Sequence, residues 1–219
     1  MYKRQVYGYE RVSGIGIKAG FRPADVIIVD LGVFPRSELL SNIVTLGPHG
    51  GALTDEFQRT CVEGIYACGG CAELKDASLE ANRPIPTPDV SYKSGMIAGY
   101  NAGGLKFKTV GYVKKIVASL FDLEIASIGA TKAEAERYGV PHYAIEKHHE
   151  RVMVRLLLEK GTERLIGVQM IGPSSAKLAE WAALAIRNHL TAPELAAHHL
   201  DLSIPVAKAL SLALDEAIK

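Results

Sequence analysis

The stretch TDEFQRTCVEGIYACGGCAE, residues 54–73, carries the strongest local signal for the fold. Its apolar run at 64–68 ends in two adjacent glycines, which predicts a buried strand that leaves its sheet through a tight turn. The same turn holds a CxxC motif at 68–71. Three functions are therefore open: a redox dithiol, half of a metal site, or a fold element in which the cysteines are incidental.

The composition limits the classes of protein that are possible. The chain has 219 residues, 48% of them hydrophobic, which is enough for the core of one or two domains. A net charge of +1 without a basic block argues against nucleic acid or an anionic membrane as a partner. Three cysteines do not make a secreted disulfide framework. No apolar run approaches the roughly 20 residues of a membrane span. We therefore expect a soluble, cytoplasmic α/β protein.

The CxxC motif fits neither a redox nor a metal site well. A thioredoxin-like dithiol needs its first cysteine at a helix N-terminus, which lowers the thiol pKa, whereas Cys68 is expected to close a buried strand. A zinc site needs two further ligands; Cys61 and a histidine could contribute, but no second CxxC is present. The pairs at 148–149 and 198–199 are adjacent histidines, which point in different directions. We predict no metal site, and a redox pair remains the weaker alternative.

The N-terminal third is predicted to consist of strands. Residues 6–20 alternate and are rich in glycine, which indicates short antiparallel strands. Within them, GIGIKA at 14–19 matches the GxGxxA form of the dinucleotide fingerprint, but that motif must open a helix. Because Gly20 and Pro23 follow at once, we predict a hairpin instead. The apolar run ADVIIVDLG at 24–32 predicts a buried strand.

Three shorter signals come next along the chain. The sequence SELL at 37–40 predicts a short helix, and glycine and proline at 48–51 predict a hairpin turn. A longer helix is predicted to start at Thr87, Pro88 and Asp89 and to stop at the glycine pair 103–104. The same glycine pair is the predicted domain boundary.

The last part of the chain, from residue 110, contains a new series of strand and helix patterns, which predicts a second domain. Trp181 lies on the apolar face of an amphipathic helix and is expected to contact the core or a dimer partner. The predicted elements are strands at 110–129, a capped helix at 131–139, a hairpin at 150–172, the amphipathic helix at 174–190, and helices that begin at 191 and 205.

Four segments in this order resemble the pyridine nucleotide–disulfide oxidoreductase family. The resemblance runs from about Val6 to the end, and the most similar subgroup is the NADH oxidase and coenzyme A-disulfide reductase type. It implies an α/β (α+β) fold: a partial FAD/NAD(P)-binding domain followed by a ferredoxin reductase-like C-terminal dimerisation domain, an antiparallel sheet plus helices. The segments are ADVIIVDLGVFP (24–35), TDEFQRTCVEGIYACGGCAE (54–73), SYKSGMIAGYNAGG (91–104) and the part from LFDLEIASIG (120–129) onward.

The resemblance also implies the domain limits. We expect a remnant of the NAD-binding domain at 1–22, a partial FAD-binding domain at 23–107 and the dimerisation domain at 108–219. The family's first GxGxxG, its N-terminal redox cysteine and most of its NAD domain would lie upstream of residue 1. MYKRQ at 1–5 reads like translated adapter, so we expect a truncated reading frame.

The family's second flavin motif, T-x-x-x-G-I-Y-A-x-G-D, is present with one departure. Thr60, Gly64 and Gly69 match, but Gly70 stands where the family has an aspartate that hydrogen-bonds the ribityl chain. The missing carboxylate removes a charge-assisted hydrogen bond of about 1.5–3 kcal/mol, so we expect weakened FAD binding. The cofactor-binding positions that the resemblance implies are Gly69, Gly70, Cys71, Ala72, Thr87, Pro88 and Asp89.

The C-terminal tail offers no general acid–base residue. The family places either HxHPT or a tyrosine in an AYxPP segment here, and this chain has HLDLSIPVAKAL at 199–210. We therefore nominate no catalytic residue.

The implied function is that of the C-terminal part of an FAD-dependent oxidoreductase. The parent would pass hydride from NAD(P)H through FAD to oxygen or a disulfide. This piece would supply part of the flavin site and the contact of a homodimer, and alone it is expected to be inactive. The alternative is a non-catalytic dimerisation or scaffold protein that has lost its flavin site.

Overall fold

The computed structural model describes residues 5–219, which form two compact units that divide after Val33. The adapter-like sequence therefore lies outside the described residues, except for its last residue. The first unit is an antiparallel meander in which Gly16 pairs with Phe21. This confirms the predicted short strands, and the GxGxxA match lies in a hairpin. The strands are β1 (Gln5–Gly8), β2 (Val12–Ile17) and β3 (Gly20–Pro23).

The buried strand predicted at 24–32 is not formed. These residues have no regular secondary structure, and Ile28 is 92% exposed. A strand that is apolar on both faces is stable only inside a sheet, where other elements cover both of its faces. In the described part of the first unit, the sheet ends at β3. The prediction was wrong because local composition supplied the β-branched residues but not the partner strands.

The second unit begins with loops around a small sheet, in the order β4-β5-β6. The predicted turn is confirmed, since the Gly47 N–H donates to the Gly51 carbonyl at 2.8 Å. The helix predicted at 37–40 is only a pair of turns. The elements are β4 (Ala52–Leu53), β5 (Ala72–Asp76), β6 (Ala81–Arg83) and α1 (Pro88–Ala102).

The strand predicted at 64–68 is also wrong. Its only ladder contact is an isolated bridge between Arg59 and Tyr66, and a 3₁₀ turn, Gly69–Cys71, follows. Ala67 is buried and donates its N–H to the Gln58 carbonyl at 3.1 Å. The segment is thus a partly buried loop that ends in a tight turn, because its backbone hydrogen bonds with residues 58–60 are too few to form a strand.

The C-terminal part is a five-stranded antiparallel sheet, in the order β7-β8-β11-β10-β9, with helices packed against it. The predicted hairpin at 150–172 is confirmed, and α5 packs on β9 and β10. Trp181 contacts the core from the edge, as expected. The elements are β7 (Lys115–Leu120), β8 (Leu123–Gly129), α2 (Lys132–Arg137), β9 (His142–His149), β10 (Val152–Glu159), β11 (Leu165–Ile171), α3 (Ala179–Arg187), α4 (Ala192–Ala196) and α5 (Pro205–Ala217).

A charged cluster joins the two parts of the second unit. Arg83, at the end of β6, pairs with buried Asp76 at 2.6 Å and with Glu134 of α2 at 2.7 Å. Lys114 also reaches Glu134, at 2.6 Å. Two cations thus meet two carboxylates between the small sheet and α2, which fixes the small sheet against the C-terminal part.

The mixed α/β architecture, with an antiparallel sheet and helices at its C-terminal end, is the predicted fold class. Within residues 5–219, no helix combines the length and the apolar character that crossing a membrane requires.

Candidate functional site

The glycine turn at 69–70 lies directly on the first turns of α1. The Gly69 N–H donates to the Ser94 Oγ at 3.0 Å. A Cβ built on Gly69 would lie 3.5 Å from the Ser91 side chain. Gly69 has a φ of +65°, a left-handed conformation that glycine adopts without steric cost. The structure therefore brings together the two parts of the site that the sequence predicted separately.

Gly70 faces open space. It is exposed, and a Cβ built on it would meet no atom within 4 Å. Its φ does not lie in the left-handed region. A larger side chain therefore fits at this position, and nothing in the surrounding backbone requires the glycine.

The start of α1 is left uncapped. Thr87 is the N-cap residue, but its side chain makes no capping hydrogen bond, and Pro88 occupies the first helical position. The Thr87 hydroxyl oxygen is buried without a hydrogen bond of good geometry, although it lies close enough to Asp89 to lower the pKa of that carboxyl. A helix start normally satisfies its free N–H groups through such a cap. The first turn of α1 therefore has no cap from Thr87, and one of its N–H groups, that of Val90, interacts with the Asp89 carboxylate.

Asp89 is held in an ion pair rather than free. Its carboxylate lies 3.2 Å from Lys115, which also contacts Glu180 of α3 at 2.7 Å. Partial burial would raise the pKa of Asp89, but the nearby Thr87 hydroxyl, the Lys115 ammonium and the backbone N–H of Val90 outweigh it, so that the pKa of Asp89 is lowered. Lys115 therefore offsets the negative charge beside the helix start.

The structure adds a cleft between α1 and α3 that the sequence did not predict. Its volume is about 430 Å³, and its lining includes Asp89, Lys93, Tyr112 and Arg187. Burial raises the pKa of Tyr112 to about 12, with small opposing effects from Thr109 and Arg187. The lining residues come from three separate segments, so no local motif could have revealed the cleft.

The other predicted positions flank the turn. Ala72 is buried at the start of β5, and half-buried Cys71 donates its thiol to the Cys68 carbonyl at 3.3 Å. Burial, together with the charge of Cys71, raises the pKa of the Cys68 thiol. Cys68 therefore does not have the lowered pKa of a thioredoxin-like nucleophile.

The tail exposes His198, His199 and Asp201. Ser203 bonds the Asp201 carboxylate within a turn, and Lys208 lies in α5. Among residues 5–219, no group of three or more histidine, cysteine or carboxylate side chains is arranged to hold a metal ion. We nominate no catalytic residue.

Two family models match the chain, one after the other. Residues 10–95 match "Pyridine nucleotide-disulphide oxidoreductase", and residues 117–202 match the dimerisation domain of the same family. The chain belongs to the pyridine nucleotide–disulphide oxidoreductase family. The resemblance first seen in four segments is confirmed.

Named relatives of the chain include a sulfur oxidoreductase and an NADH oxidase. A CoA-dependent NAD(P)H sulfur oxidoreductase of Pyrococcus furiosus is 29% identical over 87% of the chain and 46% of the relative. An NADH oxidase of Streptococcus pneumoniae is 27% identical over 78% of the chain and 40% of the relative. The chain thus spans less than half the length of either relative.

Solved structures of the oxidoreductase family share the fold. An NAD-dependent persulfide reductase from A. fulgidus superposes with a TM-score of 0.80 at 28% identity, over 94% of this chain and 41% of the other. A water-forming NADH oxidase from Lactobacillus brevis has a TM-score of 0.80 at 21% identity, over 99% of this chain and 53% of the other, which supports the fold alone.

Proposed function

We propose that this chain is part of an FAD-dependent NAD(P)H oxidoreductase, in which it supplies one wall of the flavin site and a homodimer contact. The observation that carries the proposal is the packing of Gly69 on the uncapped start of α1. A bound flavin would accept hydride from NAD(P)H and pass electrons to oxygen or a disulfide. The family membership and the NAD(P)H-dependent relatives support this class of reaction.

The residues at the helix start fit a flavin. The buried Thr87 hydroxyl without a good partner and the uncapped first turn of α1 offer polar groups to an electron-rich ring edge. Gly69 lacks the side chain that would contact Ser91, so the turn lies close against the start of α1. Pro88 occupies the first helical position, where an N–H would otherwise need a partner. Cys71 and Ala72 continue the wall into β5.

Gly70 fits a flavin only in shape. The space beside it is open, but it provides no carboxylate for a ribityl hydroxyl. We propose that the missing carboxylate at position 70 weakens FAD binding rather than abolishing it. The other residues of the family's flavin motif, including Gly64 and Gly69, are still present in this segment. A scaffold that has lost its flavin site is the less favoured function, since the relatives cited above are oxidoreductases.

The proposed dimer contact lies in the C-terminal sheet. β7 forms one edge of that sheet and exposes the apolar side chains of Ile116, Val117 and Leu120. An open apolar edge strand favours pairing with another chain. The match of residues 117–202 to a dimerisation domain supports a second copy of this chain as the partner.

The experiment that tests the flavin site restores the missing carboxylate. FAD is titrated into the full chain and into Gly70→Asp, and binding is followed by flavin fluorescence. Gly70→Asp should bind FAD about 10- to 150-fold more tightly than the parent, which corresponds to one charge-assisted hydrogen bond of about 1.5–3 kcal/mol.

Gly70→Asn is the matched control, because it has the same shape without the charge. It should gain at most a small part of the effect. Equal FAD affinity of the parent chain and both variants would contradict the placement of Gly70 at the flavin.

A further inference from the structure

The two cysteines of the CxxC motif lie on one tight turn. Cys68 has an extended backbone and immediately precedes the 3₁₀ turn Gly69–Cys71, so that the two cysteines are the end residues of one four-residue turn. The Cα atoms at the two ends of a four-residue turn lie within about 7 Å, and a disulfide needs about 4.4–6.8 Å. The Cys71 Sγ lies 3.3 Å from the Cys68 carbonyl oxygen, over the turn itself. The turn therefore holds the two Cα atoms at a spacing that a disulfide can bridge, although the Cys68 thiol faces Gly95 of α1 and must rotate to meet Cys71.

The surroundings leave the pair free to react. Both cysteines are reduced and half-buried. The two thiols are close enough for the charge of Cys71 to contribute to the raised pKa of Cys68, although burial is the larger cause. Between them lie Gly69 and Gly70, and no atom lies within 4 Å of a Cβ built on Gly70. The turn can thus adjust slightly without displacing a side chain of its own.

We propose that Cys68 and Cys71 form a reversible disulfide, with a low-molecular-weight disulfide as the oxidant. This redox site belongs to the chain itself and goes beyond the proposed flavin function, since it needs neither FAD nor NAD(P)H. The interpretation of the cysteines as incidental rested on two grounds: that Cys68 closes a buried strand, and that cysteines at these positions are ordinary variants of the family's pattern. In the structure, Cys68 is extended but belongs to no strand, and it directly precedes the turn.

The exchange proceeds in two balanced steps. The Cys71 thiolate attacks one sulfur of the oxidant, whose S–S bond breaks and releases a thiolate that takes up a proton. The Cys68 thiolate then attacks the Cys71 sulfur, and the mixed disulfide breaks to release the second small thiol. Two cysteine thiols lose two electrons in total, and the oxidant is reduced to two thiols.

The environment predicts a stable disulfide rather than a fast catalyst. A dithiol becomes strongly oxidising when the protein stabilises its thiolate form. Cys68 lacks that stabilisation, because burial disfavours its charge. The second step should therefore be slow below neutral pH, and the disulfide, once formed, should resist reduction. The cross-link would fix the Gly69–Gly70 turn against Ser91 and Ser94 of α1.

The experiment uses the full chain and mixtures of reduced and oxidised glutathione. After equilibration, free thiols are trapped with N-ethylmaleimide and the intact mass is measured. In the oxidising mixtures, the three trapped thiols of the reduced chain should fall to one, with the loss of two hydrogen atoms. Cleavage after Glu63 and Glu73 gives the peptide 64–73, which separates the pair from Cys61 and should carry the internal disulfide.

Cys61→Ser is the matched control, because Cys61 is the exposed third cysteine. This variant should keep the internal disulfide, whereas Cys71→Ser should lose it. Three trapped thiols at every ratio, or only glutathione adducts in peptide 64–73, would overturn the proposal. A disulfide that requires Cys61 would overturn it as well. If a variant fails to fold, the mass of peptide 64–73 from the unmodified chain still shows whether the internal disulfide forms. The result does not depend on FAD binding, so it is independent of the proposed flavin function.

Discussion

The two parts of the second unit are stabilised in different ways. The C-terminal part has a large apolar core, in which Leu156, Val168 and Leu210 are fully buried, and a smaller cluster around Leu157 and Ile166. The middle part, residues 34–104, has a much smaller apolar core around Leu74 and Ile85. It adds buried polar side chains that hold its loops.

Glu73 is an example of a buried polar side chain that stabilises the loops of the middle part. Its carboxylate is fully buried and accepts the backbone N–H groups of His49 at 2.8 Å and Gly51 at 3.2 Å. His49 also contacts Glu73 through its ring and meets Tyr138 at 3.1 Å. A buried carboxylate is costly unless such donors satisfy it. The loops that shape the candidate site are therefore held by specific hydrogen bonds, whereas the sheet is held by apolar burial.

The largest effect should come from the charged cluster that joins the two parts. Arg83→Met leaves buried Asp76 without its cation, which should cost about 3–5 kcal/mol of unfolding free energy. Lys75→Met is the control, because its pair with Glu80 is exposed and should contribute at most about 1 kcal/mol. Urea denaturation measures both variants. Equal losses would show that the cluster does not hold the parts together.

The next largest effect is the loss of unfolding free energy when a leucine is truncated in either of the two apolar cores. Leu156→Ala should cost about 2–5 kcal/mol, because the densely packed sheet cannot close around the cavity. Leu74→Ala should lie at the lower end of that range, because the loops around the smaller core can collapse inward. Leu39→Ala, at an exposed turn, should change stability by less than about 0.5 kcal/mol. A greater loss for Leu74 than for Leu156 would reverse the comparison.

The third effect is a pH dependence at the same junction. Burial alone would raise the pKa of Glu134, but the hydrogen bond from Lys114 and the charge of Arg83 lower it from 4.5 to about 2. The unfolded chain therefore binds more protons than the folded chain between these values. The contribution to stability is complete above about pH 4.5 and is lost as the pH falls towards 2.

After allowance for partial exposure, this contribution should be about 1–3 kcal/mol. The measurement is the difference in unfolding free energy between the parent chain and Glu134→Gln at several pH values. The difference should shrink as the pH falls through this window, and a constant difference would contradict the assignment.

The smallest effect is the loss of stability when the threonine at the start of α2 or of α1 is replaced by alanine. Thr131→Ala removes a hydroxyl that accepts the Glu134 N–H at 3.3 Å within a capping box, which should cost about 1 kcal/mol. Thr87→Ala removes a hydroxyl that caps nothing, so it should cost less than about 0.5 kcal/mol in the chain without cofactor. Thermal unfolding distinguishes the two. A larger loss for Thr87 would mean that α1 is capped and its first turn is closed to a ligand.

Local chemistry predicted much of the fold correctly. The start of α1 at Thr87 and Pro88, the capping box at Thr131 and the hairpin at 150–172 each follow from residues close together in the chain. The two predicted strands at 24–32 and 64–68 are not formed. Both predictions rested on apolar runs. Such a run indicates a segment that can be buried or paired, but it does not show whether a neighbouring strand is present for it to pair with.

The candidate site was predicted in two separate pieces. The glycine turn and the start of α1 were identified from the sequence, but their contact through Gly69 and Ser91 depends on how the chain folds back. The cleft that includes Tyr112 and Arg187 draws on three distant segments, so no motif could reveal it.

The sequence by itself determined the family, the capped and proline-started helices and the glycine at position 70, because these depend on residue identity and short spacing. Only the tertiary structure decided that the turn with Cys68 and Cys71 follows a loop rather than a strand, that Thr87 makes no side-chain cap, and that Arg83 joins two carboxylates. These features depend on long-range packing, which sets the distances between groups that lie far apart in the chain or on an irregular backbone.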